Sequence, residues 1–189
     1  MTMGPRLRKL ALAVHLTSSV GWVGAVLAYL PFDVTVATSQ DPRTLRVAWM
    51  AMGMVAVWGI VPLAVASLLT GLVMALGTKW GLFRHWWVLI SFLLTVGATL
   101  VLSSEIRVII ASAAVAADPT MSDSQLRGLT TTLPHSVGGL VVLLVVQVLN
   151  IYKPQGMTPY GWRKQQEERQ SLLRSQQKQH KQQGTLPAR

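Results

Sequence analysis

The stretch Leu10–Phe32 reads LALAVHLTSSVGWVGAVLAYLPF, 23 residues without one charged side chain. A helix needs about 20 apolar residues to cross a hydrocarbon layer of roughly 30 Å, so this stretch is long enough to span a bilayer. Arg6, Arg8 and Lys9 precede it and Asp33 follows it. Its apolar part is longer than the core of a typical signal peptide, and Pro31-Phe32-Asp33 offers no small-residue cleavage site, so it reads as a retained span.

Working outward, three more uncharged runs follow. The second lies between Val47 and Thr78, with a span at about 47–76. Its length predicts a tilted helix, a kink at Pro62, or a last turn that leaves the membrane near Leu76. The third begins at Trp86-Trp87 and stays uncharged through Ser104, giving a span at 86–104. The fourth lies within Gly128 to Tyr152, at about 133–152. Pro134 is acceptable in its first turn, where no intrahelical N–H bond is lost. None of these runs alternates apolar with polar residues as a barrel strand must, which leaves helices as the spanning elements. The expected fold is all-α: a four-helix transmembrane bundle over residues 1–152, followed by a polar, basic tail over 153–189.

The composition agrees with that fold. Of 189 residues, 51% are hydrophobic and 13% charged, about half the charge of an ordinary soluble domain. The chain has no cysteine, which excludes disulfides, thiolate metal sites and a cysteine nucleophile. The net charge of +10 would suggest nucleic acid if it were spread over a soluble fold. Here it is sorted by loop, so no nucleic-acid partner is expected. Thirteen of the 17 Lys and Arg residues fall in the N-terminal segment, the 79–85 loop and the tail; Arg43, Arg46, Arg107 and Arg127 fall in the other two loops. Asp33, Asp41, Glu105, Asp118 and Asp123 also fall on that second side. Basic residues accumulate on the cytoplasmic side, so both termini are expected there, in a bacterial cytoplasmic membrane. Trp49, Trp80, Trp86, Trp87, Tyr152 and Trp162 lie near span ends and read as interface anchors.

Two loop segments leave alternatives open. Ile109 to Ala117 is alanine-rich and apolar, and either extends the third helix or forms a short outer cap. The tail from Lys153 is rich in Gln, Arg and Lys and cannot bury enough apolar surface to fold alone. It reads as disordered or as a polar helix on the inner leaflet, drawn to anionic lipid. The bilayer is its evident partner, and a homo-oligomer is left open.

Intramembrane polar residues are where function shows, because each has a desolvation cost that something must offset. Aligned by their inner ends, the spans bring His15, Thr70, Ser91 and Gln147 to one depth, about 8 Å into the membrane. His15, Ser18, Ser19, Trp22 and Tyr29 recur at helical spacing and share a face. Gly21 with Ala25 and Gly71 with Ala75 form small-xxx-small pairs that permit close helix approach. Two roles fit His15: a hydrogen bond across the layer as packing glue, or ligation of a metal or a haem iron. His85, His135 and His180 do not complete a site with it, since His135 belongs to the opposite side of the bilayer. No paired intramembrane carboxylate, Ser-His-Asp set, phosphate-binding glycine loop or HExxH is present. Glu105, with Arg107, reads as the outer boundary of the third span.

The residues His15-Leu-Thr-Ser-Ser-Val-Gly-Trp22-Val-Gly24, Pro62-Leu-Ala, Ser67-Leu-Leu-Thr-Gly71 and Gly77-Thr-Lys-Trp80-Gly-Leu-Phe-Arg84-His-Trp-Trp87-Val-Leu resemble a set of small, largely uncharacterised membrane proteins common in actinobacteria. That set is similar, more distantly, to the four-helix membrane domains of the copper-resistance D type and the HemJ type of protoporphyrinogen oxidase. The resemblance implies a four-helix membrane fold, haem b bound through His15, or a copper-related transport accessory role. Those relatives carry a lysine on the third helix where this chain has Ser91, and some place a histidine where it has Ser103-Ser104-Glu105. The expected function is an accessory or structural membrane role without catalytic machinery, with haem or porphyrin binding as the alternative.

Overall fold

The computed structural model describes residues 3–78 and 81–184. Lys79 and Trp80, counted above as an inner-loop charge and an interface ring, and tail residues 185–189 lie outside the described residues. The helices are α1 (Pro5–Thr38), α2 (Pro42–Gly77), α3 (Trp86–Ala117), α4 (Asp123–Arg127), α5 (Leu133–Tyr152) and α6 (Pro159–Gly184). α1, α2, α3 and α5 are long and apolar enough to cross a membrane. They pack as an up-and-down bundle, and the chain is a multi-pass membrane protein. Its terminal end gathers the start of α1, the end of α2, the start of α3 and α6; Met3 N–H donates to Gly77 O at 3.1 Å there. The far end gathers the loops between α1 and α2 and between α3 and α5.

Helix lengths differ in a way that shapes the far end. α1 has 34 residues and α3 has 32, or about 51 and 48 Å, whereas the 20 residues of α5 reach about 30 Å. The surplus of α1 and α3, with the start of α2 and with α4, forms a cap beyond α5. Residues 109–117 therefore extend the third helix, and Ile109, Ser112 and Ala116 are buried at three- and four-residue spacing. Arg46 on α2 secures this cap by donating to the carbonyls of Ala116 (3.1 Å), Asp118 (2.6 Å) and Met121 (2.6 Å). A guanidinium there meets the negative end of the α3 dipole, satisfies the carbonyl of Ala116 that the helix leaves unpaired, and ties down the loop after it. At the start of α2, Asp41 accepts from the Thr44 hydroxyl (2.6 Å) and amide (3.0 Å), bonds that hold its carboxyl below the usual carboxylate range.

α2 remains one helix through Pro62, and it does so by a π-helical turn at Ala56–Ile60. Proline lacks an N–H and its ring crowds the carbonyl four residues back, here Trp58, so a widened turn directly before it relieves both. The small residues predicted to allow close approach do so between α1 and α2. A Cβ added at Gly21 would lie 3.2 Å from Leu63 Cδ2, and one at Gly59 3.7 Å from Ala25. α2 and α3 come closer still: a Cβ at Gly53 would lie 2.7 Å from that of Ala113.

Two aromatic assignments change. Trp49 is fully buried in the far-end core with Met52 and Leu126, and Trp87 is 8% exposed. Trp49 lies on a helix that starts at Pro42, well before its apolar run, so its ring meets α2's neighbours rather than headgroups. Trp86, Tyr152 and Trp162 are exposed, as interface anchors would be.

Residues 159–184 of the tail fold as helix α6. Thr158 starts it, accepting from Gly161 N–H at 3.0 Å, while its own hydroxyl donates to Phe83 O at 2.5 Å and its N–H to Arg84 O at 3.0 Å. An Arg84–Glu168 ion pair adds a second tie to the same loop. Any side chain at Gly161 would lie 2.3 Å from Arg84 O, so glycine is required for this docking. A polar helix that could not fold alone is thus nucleated by contacts with the bundle.

Candidate functional site

Two polar sites lie within the bundle, one towards each end. At the inner one, Thr70 donates its hydroxyl proton to Ala66 O at 2.6 Å, one turn back on α2. Its oxygen then accepts from His15 Nδ1–H, 3.1 Å away on α1. The imidazole rests against Gly71: a Cβ at that position would lie 3.1 Å from His15 Cε1 and 3.9 Å from Nε2. Of the four residues aligned at this depth, the structure joins His15 to Thr70. Ser91 is buried and its hydroxyl has no hydrogen-bond partner among the described residues; Gln147 is half-buried on α5, and no described hydrogen bond links either to His15.

The second site was not foreseen as one. Ser18, Trp22, Val26, Tyr29 and Asp33 form the buried stripe of α1 at three- and four-residue steps. Asp33, counted above among the outer loop acids, is therefore a helical residue with no exposed surface. Its Oδ1 accepts from Thr131 at 3.0 Å, and its Oδ2 accepts from Thr132 at 3.1 Å and from Ser136 at 2.5 Å. Because the Thr132 proton goes to Asp33, Tyr29 donates to Thr132 Oγ1, at 2.8 Å. All three hydroxyls that reach Asp33 belong to the first turn of α5 or the residues just before it. A carboxylate there meets the positive end of the α5 dipole, which offsets part of its desolvation without a cationic side chain.

Glu105 stands beside this network. Its charge suggests a span boundary in the sequence, yet α3 continues through it for twelve more residues, its side chain is 20% exposed, and it lies 3.6 Å from His135 Nδ1 on α5. Arg107, two residues on, projects from the opposite side of the helix and is exposed. The pair Glu105–Arg107 therefore splits between interior and surface.

Between α1, α3 and α5 lies a cavity of about 430 Å³, within the roughly 300–1,000 Å³ of small-molecule sites. Its walls are apolar for most of their length: Trp22, Val26, Ile60, Leu94, Ala98, Leu102, Val142 and Leu143. Polar groups gather at its far end, where Tyr29, Glu105, Thr132, His135 and Ser136 line it. Leu93 and Val101, 58% and 47% exposed, also line it, so it opens on the lipid-facing surface of the bundle. Three lining residues are glycines, Gly97, Gly138 and Gly139, and a Cβ at any of them would meet nothing within 4 Å. Helix packing does not require glycine there, although each costs about 0.5–1 kcal/mol of helix stability relative to alanine. They leave the wall without side chains at these positions, two of which, Gly97 and Gly138, are exposed at the surface.

Sequence signals for this site existed in part. The run Thr130-Thr131-Thr132 and Ser136 around Pro134 is a hydroxyl cluster at a helix start, and Asp33 falls on the Trp22–Tyr29 face. What connects them is a separation of about a hundred residues, which spacing within one helix cannot reveal. Among the described residues no three His, Asp or Glu side chains are grouped to hold a metal ion. No protein-family model, curated protein or solved structure matches this chain.

Proposed function

We propose that the chain is an accessory protein of the bacterial cytoplasmic membrane that binds a small amphiphile taken up from the lipid phase. The observation that carries this reading is the cavity, apolar along its length, polar at its far end, open on the lipid side and walled in part by three glycines that packing does not need. An occupant would place its apolar part against Trp22, Leu94 and Leu143 and its polar group beside Glu105 and His135. Gly97→Leu tests it, because the new side chain would project into open space. In nanodiscs, the wild-type chain should bind the neutral fluorophore pyrenebutanol saturably, and the variant should lose that binding by roughly tenfold or more while keeping its helical circular dichroism. Equal binding by both proteins would sink the proposal.

Both termini are assigned to the cytoplasm on the placement of Lys and Arg, with the cavity's polar end towards the outer leaflet. Docking of α6 beside Arg84 keeps its basic residues, Arg163, Lys164, Arg169 and Arg174, on the membrane side that carries anionic lipid. Since the chain has no cysteine, single replacements report directly. A membrane-impermeant maleimide should label Ser124→Cys on intact cells and Ser175→Cys only after permeabilisation; the reverse pattern would invert the topology.

Haem b held by His15 is the reading that the family resemblance supplies. The cavity carries the amphiphile reading and does not reach His15. The Cε1 edge of the ring lies against Gly71 of α2, and the hydroxyl of Ser91 stands where the relatives' lysine would be. The cavity is lined by Trp22, two helical turns along α1, and not by His15. His15 instead ties α1 to α2, a bond worth about 0.6–2 kcal/mol in a membrane.

A further inference from the structure

Resting on the reading of the cavity as an amphiphile site, we infer that its ligand is a lipophilic cation, with Glu105 as the counter-charge. Among the described residues, the cavity wall contains a carboxylate and no Lys or Arg. A second carboxylate, Asp33, lies behind the wall, reached through the hydroxyls of Thr132 and Ser136. Arg46 is held by carbonyls of the cap, and Arg107 projects away from the cavity. His135, 55% exposed, is the one lining group able to neutralise Glu105, and does so only when protonated. The positive end of the α5 dipole, worth roughly half a charge, offsets only part of the two carboxylates, so the field at the polar end is net negative.

Aromatic placement points the same way. Tyr29 lines the polar end that Glu105 lines, and the faces of aromatic rings attract quaternary ammonium groups. A carboxylate and an aromatic side chain at the end of an apolar cavity suit an alkylammonium group better than an anionic or purely neutral headgroup. An anionic amphiphile would meet Glu105 directly and find no basic lining residue but His135.

The test compares two probes that share a hydrophobic part, pyrenebutyl-trimethylammonium and pyrenebutanol, in phosphatidylcholine nanodiscs, with partition into empty discs subtracted. Wild-type protein is expected to bind the ammonium roughly tenfold more tightly than the alcohol, and Glu105→Gln to bring the ammonium down to the alcohol's affinity. Equal affinities in the wild type, or a preference that survives Glu105→Gln, would overturn the inference. Should Glu105→Gln fail to fold, the wild-type comparison decides alone. If neither probe binds, it is the cavity reading that fails, which separates the two outcomes.

Discussion

Gly53→Leu should prevent the bundle from forming its native far end. A Cβ at this position would already lie 2.7 Å from Ala113 Cβ, a separation that real structures do not tolerate, and leucine adds three more carbons behind it. Since the contact is between two side-chain stubs fixed to helix backbones, relief requires α2 and α3 to separate. That would open the core that holds Trp49, Met52 and Ile109. Overpacking typically costs about 1–3 kcal/mol, and here the upper end is expected because neither partner can rotate away. Denaturation of the purified protein by dodecyl sulfate, followed by tryptophan fluorescence, would measure it. The cause can be isolated: Gly53→Ala should also destabilise, and Ala113→Gly should recover most of that loss when the two are combined. Additive losses in the double variant would show that the close approach is not the cause.

Asp33→Ala carries the second large effect. The hydroxyls of Thr131, Thr132 and Ser136 would lose Asp33 at once, Ser136 alone keeping a carbonyl, that of Leu133, within reach, and the main polar tie between α1 and the start of α5 would go. Single hydrogen bonds in membranes are worth about 0.6–2 kcal/mol, so the combined loss should be roughly 2–4 kcal/mol. Asp33→Asn keeps one oxygen able to accept and should cost clearly less. Because Tyr29 reaches Asp33 through Thr132, Tyr29→Phe should add little to Asp33→Ala, although the same change in the wild type should be measurable. Full additivity of the two would mean that Tyr29 and Asp33 are not one network.

The spans were legible because the bilayer imposes length and hydropathy on any helix that crosses it, and that constraint is local in sequence. Where the helices end was not legible. Glu105 and Arg107 look like a boundary when counted as charges; on the helix one faces a cavity and the other the surface, and α3 continues to Ala117. The position of Trp49 near a span end suggests an anchor, while burial is decided by neighbours that the span count does not contain. The His15–Thr70 bond lies within the depth layer read from the sequence, since both residues are a fixed number of turns from an aligned helix end. Depth says nothing about rotation, however, and rotation decides whether Ser91 and Gln147 reach the same point. The far-end network depends on tertiary pairing across 98 to 103 residues, for which one sequence holds no register. The cavity is less legible still: glycines at 97, 138 and 139 leave its wall without side chains, around a space that only the packed bundle defines.

The most direct test is where a lipid-phase ligand resides. Photolysis of a diazirine-bearing single-chain amphiphile in bilayers containing the protein, followed by peptide mass spectrometry, would map its contacts. Adducts should concentrate on α3 around Leu94 to Leu102 and on α5 around Val142 and Leu143, the walls of the cavity, and fall sharply in Gly97→Leu. Adducts that instead follow lipid exposure, heaviest on Trp58, Leu69 and Leu76 and unchanged by Gly97→Leu, would contradict a binding cavity.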